Sequence, residues 1–331
     1  MESNKRIKLD MKQVCTHSGS FHADESLAVY MLRLLPQWKD SKLVRSRDPA
    51  VWEESDIVID VGGKYDGVKF FDHHQRGFEE VFGQGFVTKL SSAGLIYKHF
   101  GKEIISEITG VTDTKDLDLL YKKVYGEFIE LLDANDNGIN NYDASVEPKF
   151  KDKCITLPRL VSQLNPRWNE SSTDADFDRQ FGLSSELMGT SFVNYVVGLG
   201  KGWLPAKSIV SDAFDARFEI DPSGEILELS QFCPWKEHLY HVEKNNNKEG
   251  QTKFVIFADS SGKYRVATVS ITSTLFEFRK GLPERLRGLR DEELSKESGI
   301  EQCIFVHASG FIGGTHTREG ALALAKLGLA E

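Results

Sequence analysis

The stretch "VKFFDHHQRG", Val68–Gly77, sets an acid and two adjacent histidines directly after a short apolar run. A run of that length bounded by turn residues reads as a buried strand, so Asp72, His73 and His74 close a strand with metal-competent side chains. Upstream, "QVCTH" (13–17) is a β-prone run that ends in His17, and the loop after it carries His22 and Asp24. "DIVID" (56–60) is a second apolar run and ends in Asp60, before "VGG". Between them, "DESLAVYMLRLLP" puts Leu27, Tyr30, Met31, Leu34 and Leu35 on one helical face, with Pro36 ending it, and "KLVRSRD" supplies a further strand. Strands alternating with helices imply an α/β fold with a parallel sheet wrapped on both sides. In such sheets ligands bind beyond the carboxyl ends of the strands, where these acids and histidines stand.

Farther along, "SSAGLIYKHFG" predicts a helix capped by Ser91 or Ser92 and stopped at Gly101. Leu117, Leu120, Tyr121, Val124, Phe128, Leu131 and Leu132 share one face of a longer helix. The polar segment Arg167–Gln180 marks a composition shift and reads as a surface loop, followed by helical sequence to about Arg217. "FVIFADSSGKYRVATVSI" alternates around a Ser-Gly turn and predicts an antiparallel hairpin. The expected organisation is a catalytic domain over 12–200, then a helical connector and a smaller substrate-binding α+β domain over 201–331.

The chain has 331 residues, 40% of them hydrophobic, enough for a substantial core. Its four cysteines, Cys15, Cys154, Cys233 and Cys303, are scattered and form no CxxC pair, so they read as buried thiols. No apolar run is long enough for a membrane span, and the opening residues lack the apolar core of a secretory signal, which predicts an intracellular protein without a membrane partner. "NKRIK" near the start is only a faint basic signal, without the Arg/Ser-rich pattern of a transit peptide. A formal charge of −9 argues against a surface coated in nucleic acid and leaves room for a local basic groove.

Each strand-end residue has an ordinary structural use. Asp24 could favour a helix N-terminus, Asp60 could cap a turn, and a lone histidine commonly packs in a core. Together on one sheet edge they read as a metal centre. "LLDANDNGI" adds Asp133 or Asp136 as a further ligand. Asp133, Asn135, Asn137 and Gly138 also match the first half of a calcium-binding EF-hand loop, but the closing glutamate position is Ala144, so that match fails. The donors exceed what one catalytic zinc takes and suit two divalent cations, with Asp60 as a bridge. Mixed imidazole and carboxylate donors favour manganese, with magnesium as the alternative. His74, beside His73, is placed to contact phosphate. Ser92 opens a helix whose N-terminus could bind an anion. Gly313 and Gly314 would allow close backbone approach to an anion, with His316 and Arg318 holding a phosphate or a chain end. The basic run Arg279, Lys280, Arg285, Arg287, Arg290 could be a solvated helix face or could track a nucleic-acid backbone, with Phe276, Phe278, Trp203 or Trp235 for base stacking.

"HSGSFHADES", "VIDVGG", "FDHH" and "DANDNG", in that order, resemble the four metal-binding motifs of the DHH phosphoesterase superfamily, and "GFIGGTH" resembles the Gly-Gly-Gly-His element of its second domain. "THSGSFHADESLA", "RGLRDEELS" and "FVHASGFIGGTHTREGALALA" are similar to the melanocyte proliferating gene one family of exonucleases, from about Val14 to the C-terminus. The resemblance implies a DHH-type domain and a smaller α+β domain with the site in the cleft between them. It implies a metal-dependent 3′-to-5′ exonuclease on single-stranded RNA that releases nucleoside monophosphates, linked to RNA processing in nucleus and mitochondria, with cytoplasm also allowed. His17, His22, Asp24, Asp60, His73 and Asp133 or Asp136 become metal ligands. Asp72 supports His73, and His74 and His316 contact phosphate. In this sequence His22 stands where the superfamily usually has an aspartate, which weakens magnesium more than manganese. Two competing readings are a hydrolase of pyrophosphate or short oligonucleotides and a non-catalytic metal-containing RNA-binding scaffold. Oligomeric state is not legible.

Overall fold

The structure, a computed structural model, describes residues 11–143, 145–146, 155–272 and 277–331. The "NKRIK" segment, Ala144, Cys154 and Phe276 lie outside the described residues. The chain divides into two compact units, one ending at Gly200 and the other spanning Lys201–Glu331.

The first unit opens with β1 (Gln13–Thr16), α1 (Ala23–Arg33), β2 (Lys42–Arg45), α2 (Pro49–Glu54), β3 (Ile57–Ile59) and β4 (Phe70–Phe71). The strands pair in the order β2-β1-β3-β4, every pairing parallel. Val14, Cys15 and all of Ile57–Ile59 are buried, the continuous apolar pattern of strands covered on both faces. A hairpin follows, β5 (Val81–Gly83) and β6 (Phe86–Lys89), and then α3 (Ser92–Thr109). Helix α3 runs past Gly101, where the sequence predicted a stop. A Cβ at Gly101 would meet the rings of Tyr121 and Tyr97 at 2.8–2.9 Å, so this glycine allows close packing, and the helix ends at left-handed Gly110.

Next come α4 (Thr114–Val124), a π-helical turn over Tyr125–Ile129, α5 (Glu130–Asp136), α6 (Leu157–Leu164) and α7 (Asp174–Gly198). The π turn inserts a residue and rotates the face presented by α5. Leu131, expected on the buried face, is therefore 58% exposed, while Tyr125, Ile129 and Asp133 are buried. The polar segment Arg167–Gln180 is a loop only in its first part. From Asp174 it is helix, capped by Thr173, whose hydroxyl accepts from the Asp176 N–H.

The second unit contains α8 (Ala206–Asp215), α9 (Arg217–Ile220), β7 (Ile226–Glu228), α10 (Lys236–Asn245), β8 (Phe254–Ala258), β9 (Tyr264–Thr268), α11 (Asp291–Ser298), β10 (Cys303–Val306), β11 (Ile312–Thr315) and α12 (Arg318–Ala330). Its sheet runs β10-β11-β9-β8-β7, antiparallel except for the β7–β8 pair. Alternation along the strands divides the core by face. Val255 and Phe257 pack with Val210, Phe214 and Leu239, whereas Phe254 and Ile256 pack with Leu294, Ala321 and Leu324. The basic run forms a short 3-10 turn at Glu284–Leu286 and flanking loops instead of a helix face. Cys15, Cys233 and Cys303 are buried free thiols. Among the described residues no helix is long and apolar enough to cross a membrane.

Helix α1 carries site residues at its N-terminus and packs against both α3 and α7. A Cβ at Gly189 of α7 would fall well inside contact with the Tyr30 ring near its base. Gly189→Ala should therefore cost about 1–3 kcal/mol through overpacking. Thermal unfolding of the variant should fall by several degrees, and an unchanged melting temperature would show that the two helices do not meet this way.

Candidate metal centre

The parallel strands deliver their closing residues to one neighbourhood. Asp60 follows β3 in the left-handed region, φ 57°, a conformation that Asp adopts more readily than most residues. Its carboxylate faces three histidines: Oδ2 lies 3.5 Å from His17 Nε2, and Oδ1 lies 3.7 Å from His73 Nε2 and 3.5 Å from His74 Nδ1. Ser92 Oγ donates to Oδ1 at 3.0 Å and fixes the rotamer.

Around Asp60 the donor atoms form overlapping groups, each with members within 4.8 Å of one another: His17, His22, Glu25 and Asp60; Asp60, His73 and His74; Asp24, His73 and Asp136. Asp60 and His73 each belong to two groups, as side chains between adjacent cation positions would. Glu25 is the residue the sequence reading missed. It is fully buried on the first turn of α1; its Oε1 lies 3.1 Å from His17 Nε2 and accepts from the His22 N–H at 2.7 Å. The only sequence signal was an acid at the third position of a helix, which ordinarily reads as a cap.

Of the two aspartates at the end of α5, Asp136 belongs to the cluster, with Oδ2 2.8 Å from His73 Nε2. Asp133 belongs to a hydrogen-bond network. It accepts from the Ser91 N–H at 2.9 Å and the Tyr125 hydroxyl at 2.8 Å, and its Oδ1 lies 2.7 Å from Ser91 Oγ. Ser91 Oγ is also 2.5 Å from Asp24 Oδ1. A serine hydroxyl has one proton to donate, so its two carboxylate contacts require a further proton on one of the acids. Burial pushes Asp133 up to about 7 against the lowering effect of its Ser91 and Tyr125 donors. Burial also raises Asp24 well above the usual carboxylate range, helped by the charges of Asp136 and Asp60. The EF-hand alternative fails structurally as well, because Asp133 and Asn135 are helical.

Several expected roles change. The N-terminus of α3 binds the protein's own carboxylate: Asp24 accepts from the N–H groups of Ser92 at 3.1 Å and Ala93 at 2.7 Å. Ser92 is fully buried, so it holds Asp60 and Asp24 and is closed to a phosphate. Asp72 supports His74 and not His73. Its Oδ1 lies 2.7 Å from His74 Nδ1 and accepts from the His74 N–H, while Oδ2 accepts from the Gly63 N–H. Burial alone would raise Asp72, but these donors outweigh it and hold the carboxyl below its usual range; the same bond raises His74. His17 is pushed up to about 9, because hydrogen bonds to Asp60 and Glu25 outweigh the opposing effect of burial.

In the second unit, Gly313 and Gly314 lie inside β11, paired to strands on both sides. A Cβ at Gly313 would meet Leu324 at 2.9 Å, and one at Gly314 would meet Arg265 at 2.7 Å and Phe305 at 2.8 Å. The glycines serve sheet packing, and their backbone is not an open anion cradle. Arg318 forms a two-pronged ion pair with Glu228, which occupies the fork proposed for phosphate. His316 stands exposed just past β11. Trp203 and Trp235 are core residues, unavailable for base stacking, and Phe278 is half-buried beside Phe311. Arg279 pairs with buried Glu243, and Arg285 pairs with Glu297 and Glu331. That run is thus largely committed to internal partners.

The residues fit divalent cations on two counts. First, both ring nitrogens of buried His73 and the Oε2 of buried Glu25 lack hydrogen-bond partners among the described residues; the 2.8 Å approach of Asp136 to His73 is off the hydrogen-bond direction. Buried polar atoms are rarely left so. Second, Asp24, Asp60 and Asp136 crowd negative charge that a cation would neutralise. The cluster opens into a cavity of about 1560 Å³, whose wall includes His17, Asp24, Arg47, Asp60, His74 and Asp136. Arg47 Nη2 lies 3.2 Å from His17 Nδ1.

The family model described as "Uncharacterised protein family (UPF0160)", MYG1_exonuc, matches residues 13–329. A MYG1 protein of Saccharomyces cerevisiae is 60% identical over 100% of both chains. The MYG1 protein of Dictyostelium discoideum is 50% identical over 94% of each chain. The Homo sapiens protein named MYG1 exonuclease is 45% identical over 96% of this chain and 86% of its own length. A crystal structure of the exonuclease RecJ bound to manganese aligns with 96% of this chain and 90% of its own at 13% identity, with a TM-score of 0.23, too low to establish a shared fold.

Asparagine tolerates the left-handed backbone of Asp60 and keeps an oxygen for Ser92. Asp60→Asn should therefore fold with a melting temperature near that of the native protein. Manganese should raise the melting temperature of the native chain by preferential binding to the folded state. It should leave the variant unmoved, and an equal rise in both would remove Asp60 from the metal centre.

Proposed function

This chain belongs to the MYG1 family, and we propose that it is a two-metal phosphodiesterase that removes nucleoside monophosphates from the 3′ end of single-stranded RNA. The observation that carries the reading is the convergence of His17, His73 and His74 on the carboxylate of Asp60. The exonuclease name of its relatives supports the reaction class. RNA as substrate, the direction of attack, manganese ahead of magnesium, and a place in RNA processing in nucleus, cytoplasm and mitochondrion rest on the sequence resemblance. A catalytic domain over 12–200 and a substrate-binding domain over 201–331 are part of the same proposal.

Divalent cations at such a site lower the pKa of a bound water and neutralise charge on the phosphoryl oxygens. His17, His22, Glu25, Asp24, Asp60, His73 and Asp136 are the residues that would hold them. The protein's own part begins with orientation. Ser92 fixes Asp60, Ser91 and the backbone of α3 fix Asp24, and the packing of α1 fixes Glu25. Such preset donors spare the reaction the cost of assembling them. His74 has a different part. Its side chain is 61% exposed and lines the cavity, while Asp72 binds Nδ1 and leaves Nε2 to donate to a phosphoryl oxygen. The Asp72 carboxylate thereby sets the orientation and charge of that donor. Arg47, on the same wall, supplies a second cationic contact to the substrate.

The test is digestion of labelled RNA with a free or a blocked 3′ end, in manganese, magnesium or chelator. Free ends should be shortened one nucleotide at a time with manganese, blocked ends should be protected, and chelator should abolish turnover. His74→Ala should lower kcat by roughly 10²–10³, the scale of one lost transition-state donor, without changing the manganese-dependent melting shift. Faster hydrolysis of pyrophosphate than of any oligonucleotide would overturn the exonuclease reading in favour of a small-phosphate hydrolase. Equal inertness of native and Asp60→Asn protein, with metal bound, would favour a scaffold.

A further inference from the structure

The cavity wall is acidic at the cluster and apolar where the chain leaves α5. Ile139, Tyr142 and Val146 all line the same cavity as Asp60, His74 and Asp136, and they are 47%, 66% and 52% exposed. Single exposed apolar side chains are ordinary on a protein surface. Three within eight positions, on the wall of a charged cavity, form a local feature of a different kind. The segment is anchored at its root: Asn137 Nδ2 donates to the Lys89 and Asp133 carbonyls at 2.9 and 2.8 Å, and the Ile139 N–H donates to the Ala134 carbonyl at 2.8 Å. Tyr142 thus lies a short way along the chain from Asp136, on a segment whose start is fixed beside the cluster.

A mononucleotide unit has one anionic and one flat apolar end. The cluster with His74 and Arg47 suits the first; an open aromatic face suits the second, since any base can stack on it without hydrogen-bond readout. We infer that Tyr142, flanked by Ile139 and Val146, is the platform on which the terminal nucleobase of a single-stranded oligonucleotide stacks while its phosphate faces the cation cluster. This rests on the reading of the cavity as a nucleic-acid phosphodiesterase site and adds to it how the base end is held. A stacking platform predicts binding of either purine or pyrimidine ends, with little choice between bases.

The probe is a short oligoribonucleotide with 2-aminopurine at its 3′ end, titrated in chelator so that binding is read by fluorescence without hydrolysis. Full-length native protein should quench the probe. Tyr142→Ala should weaken binding roughly tenfold, within the range for loss of one base stack, and Tyr142→Phe should restore it to within about twofold. An oligonucleotide with an abasic 3′ end should bind native and Tyr142→Ala protein alike. With manganese, Tyr142→Ala should raise KM for the base-bearing RNA and leave kcat nearly unchanged. Equal affinity of native and Tyr142→Ala protein for the probe overturns the platform even if RNA is hydrolysed. The converse separates the two claims: native protein that quenches the probe through Tyr142 yet hydrolyses no phosphodiester retains the platform and loses the enzyme. Loss of melting temperature in Tyr142→Ala without a change in affinity also overturns the platform and makes the apolar strip a packing surface.

Discussion

Asp24, Asp60 and Asp136 bring carboxylates into one mostly buried neighbourhood, where desolvation and mutual repulsion oppose ionisation. Most of the local structure answers that charge. The N-terminus of α3 presents N–H groups to Asp24, Ser92 binds Asp60, and His17 and His73 stand against the carboxylates on the other side. Hydrogen bonds spread the charge but do not cancel it, and the ring nitrogens of His73 have no hydrogen-bond partner among the described residues. A divalent ion resolves both conditions, which is why the cluster reads as a cation site and not as an ordinary polar core.

Much of this was legible because a parallel sheet translates sequence into space by a simple rule. Residues that close parallel strands come to the same edge, so His17, Asp60 and the Asp72–His74 run could be gathered from three distant segments before any coordinates. Helix phase is a less transferable rule. Asp133 and Asp136 sit on the same terminal turn, and only their packing separates them: Asp133 is buried against Ser91 and Tyr125, while Asp136 faces His73. Leu131 is exposed where a period of 3.6 places it inside, since the residue inserted by the π turn rotates the face on which that period relies. Glu25 was hidden by its ordinariness, because an acid in the first turn of a helix needs no further explanation.

Ser91 links these two kinds of residue. Its hydroxyl lies between Asp24, which faces the cluster, and Asp133, which faces Tyr125. Gly94 makes room for the arrangement, since a Cβ there would run into the Asp133 carboxyl. The "SSAG" segment therefore has a clear chemical use, though not the anion-binding one its composition suggested. It hands three carboxylates, Asp24, Asp60 and Asp133, their donors and seals that end of α3 from solvent. Sequence could show that an N-terminus was rich in donors; only packing could show that the protein had already filled it.

The same distinction explains the second unit. A glycine pair, a histidine and an arginine can describe an anion cradle or a tight strand followed by a helix cap, because both need small residues next to polar ones. The deciding facts are partners. Gly313 and Gly314 are paired within the sheet and pressed by Leu324, Arg265 and Phe305, Arg318 is held by Glu228, and Thr317 caps α12 through the Gly320 N–H. Once those commitments are subtracted, the side chains in a position to meet a phosphate in the described cavity include His74 and Arg47, each adjoining the cluster through a defined contact, His74 to Asp72 and Arg47 to His17. On the proposed reading, phosphate recognition and cation binding would form one constellation, since a carboxylate or imidazole that moves to suit a metal would also move the donors that hold the substrate.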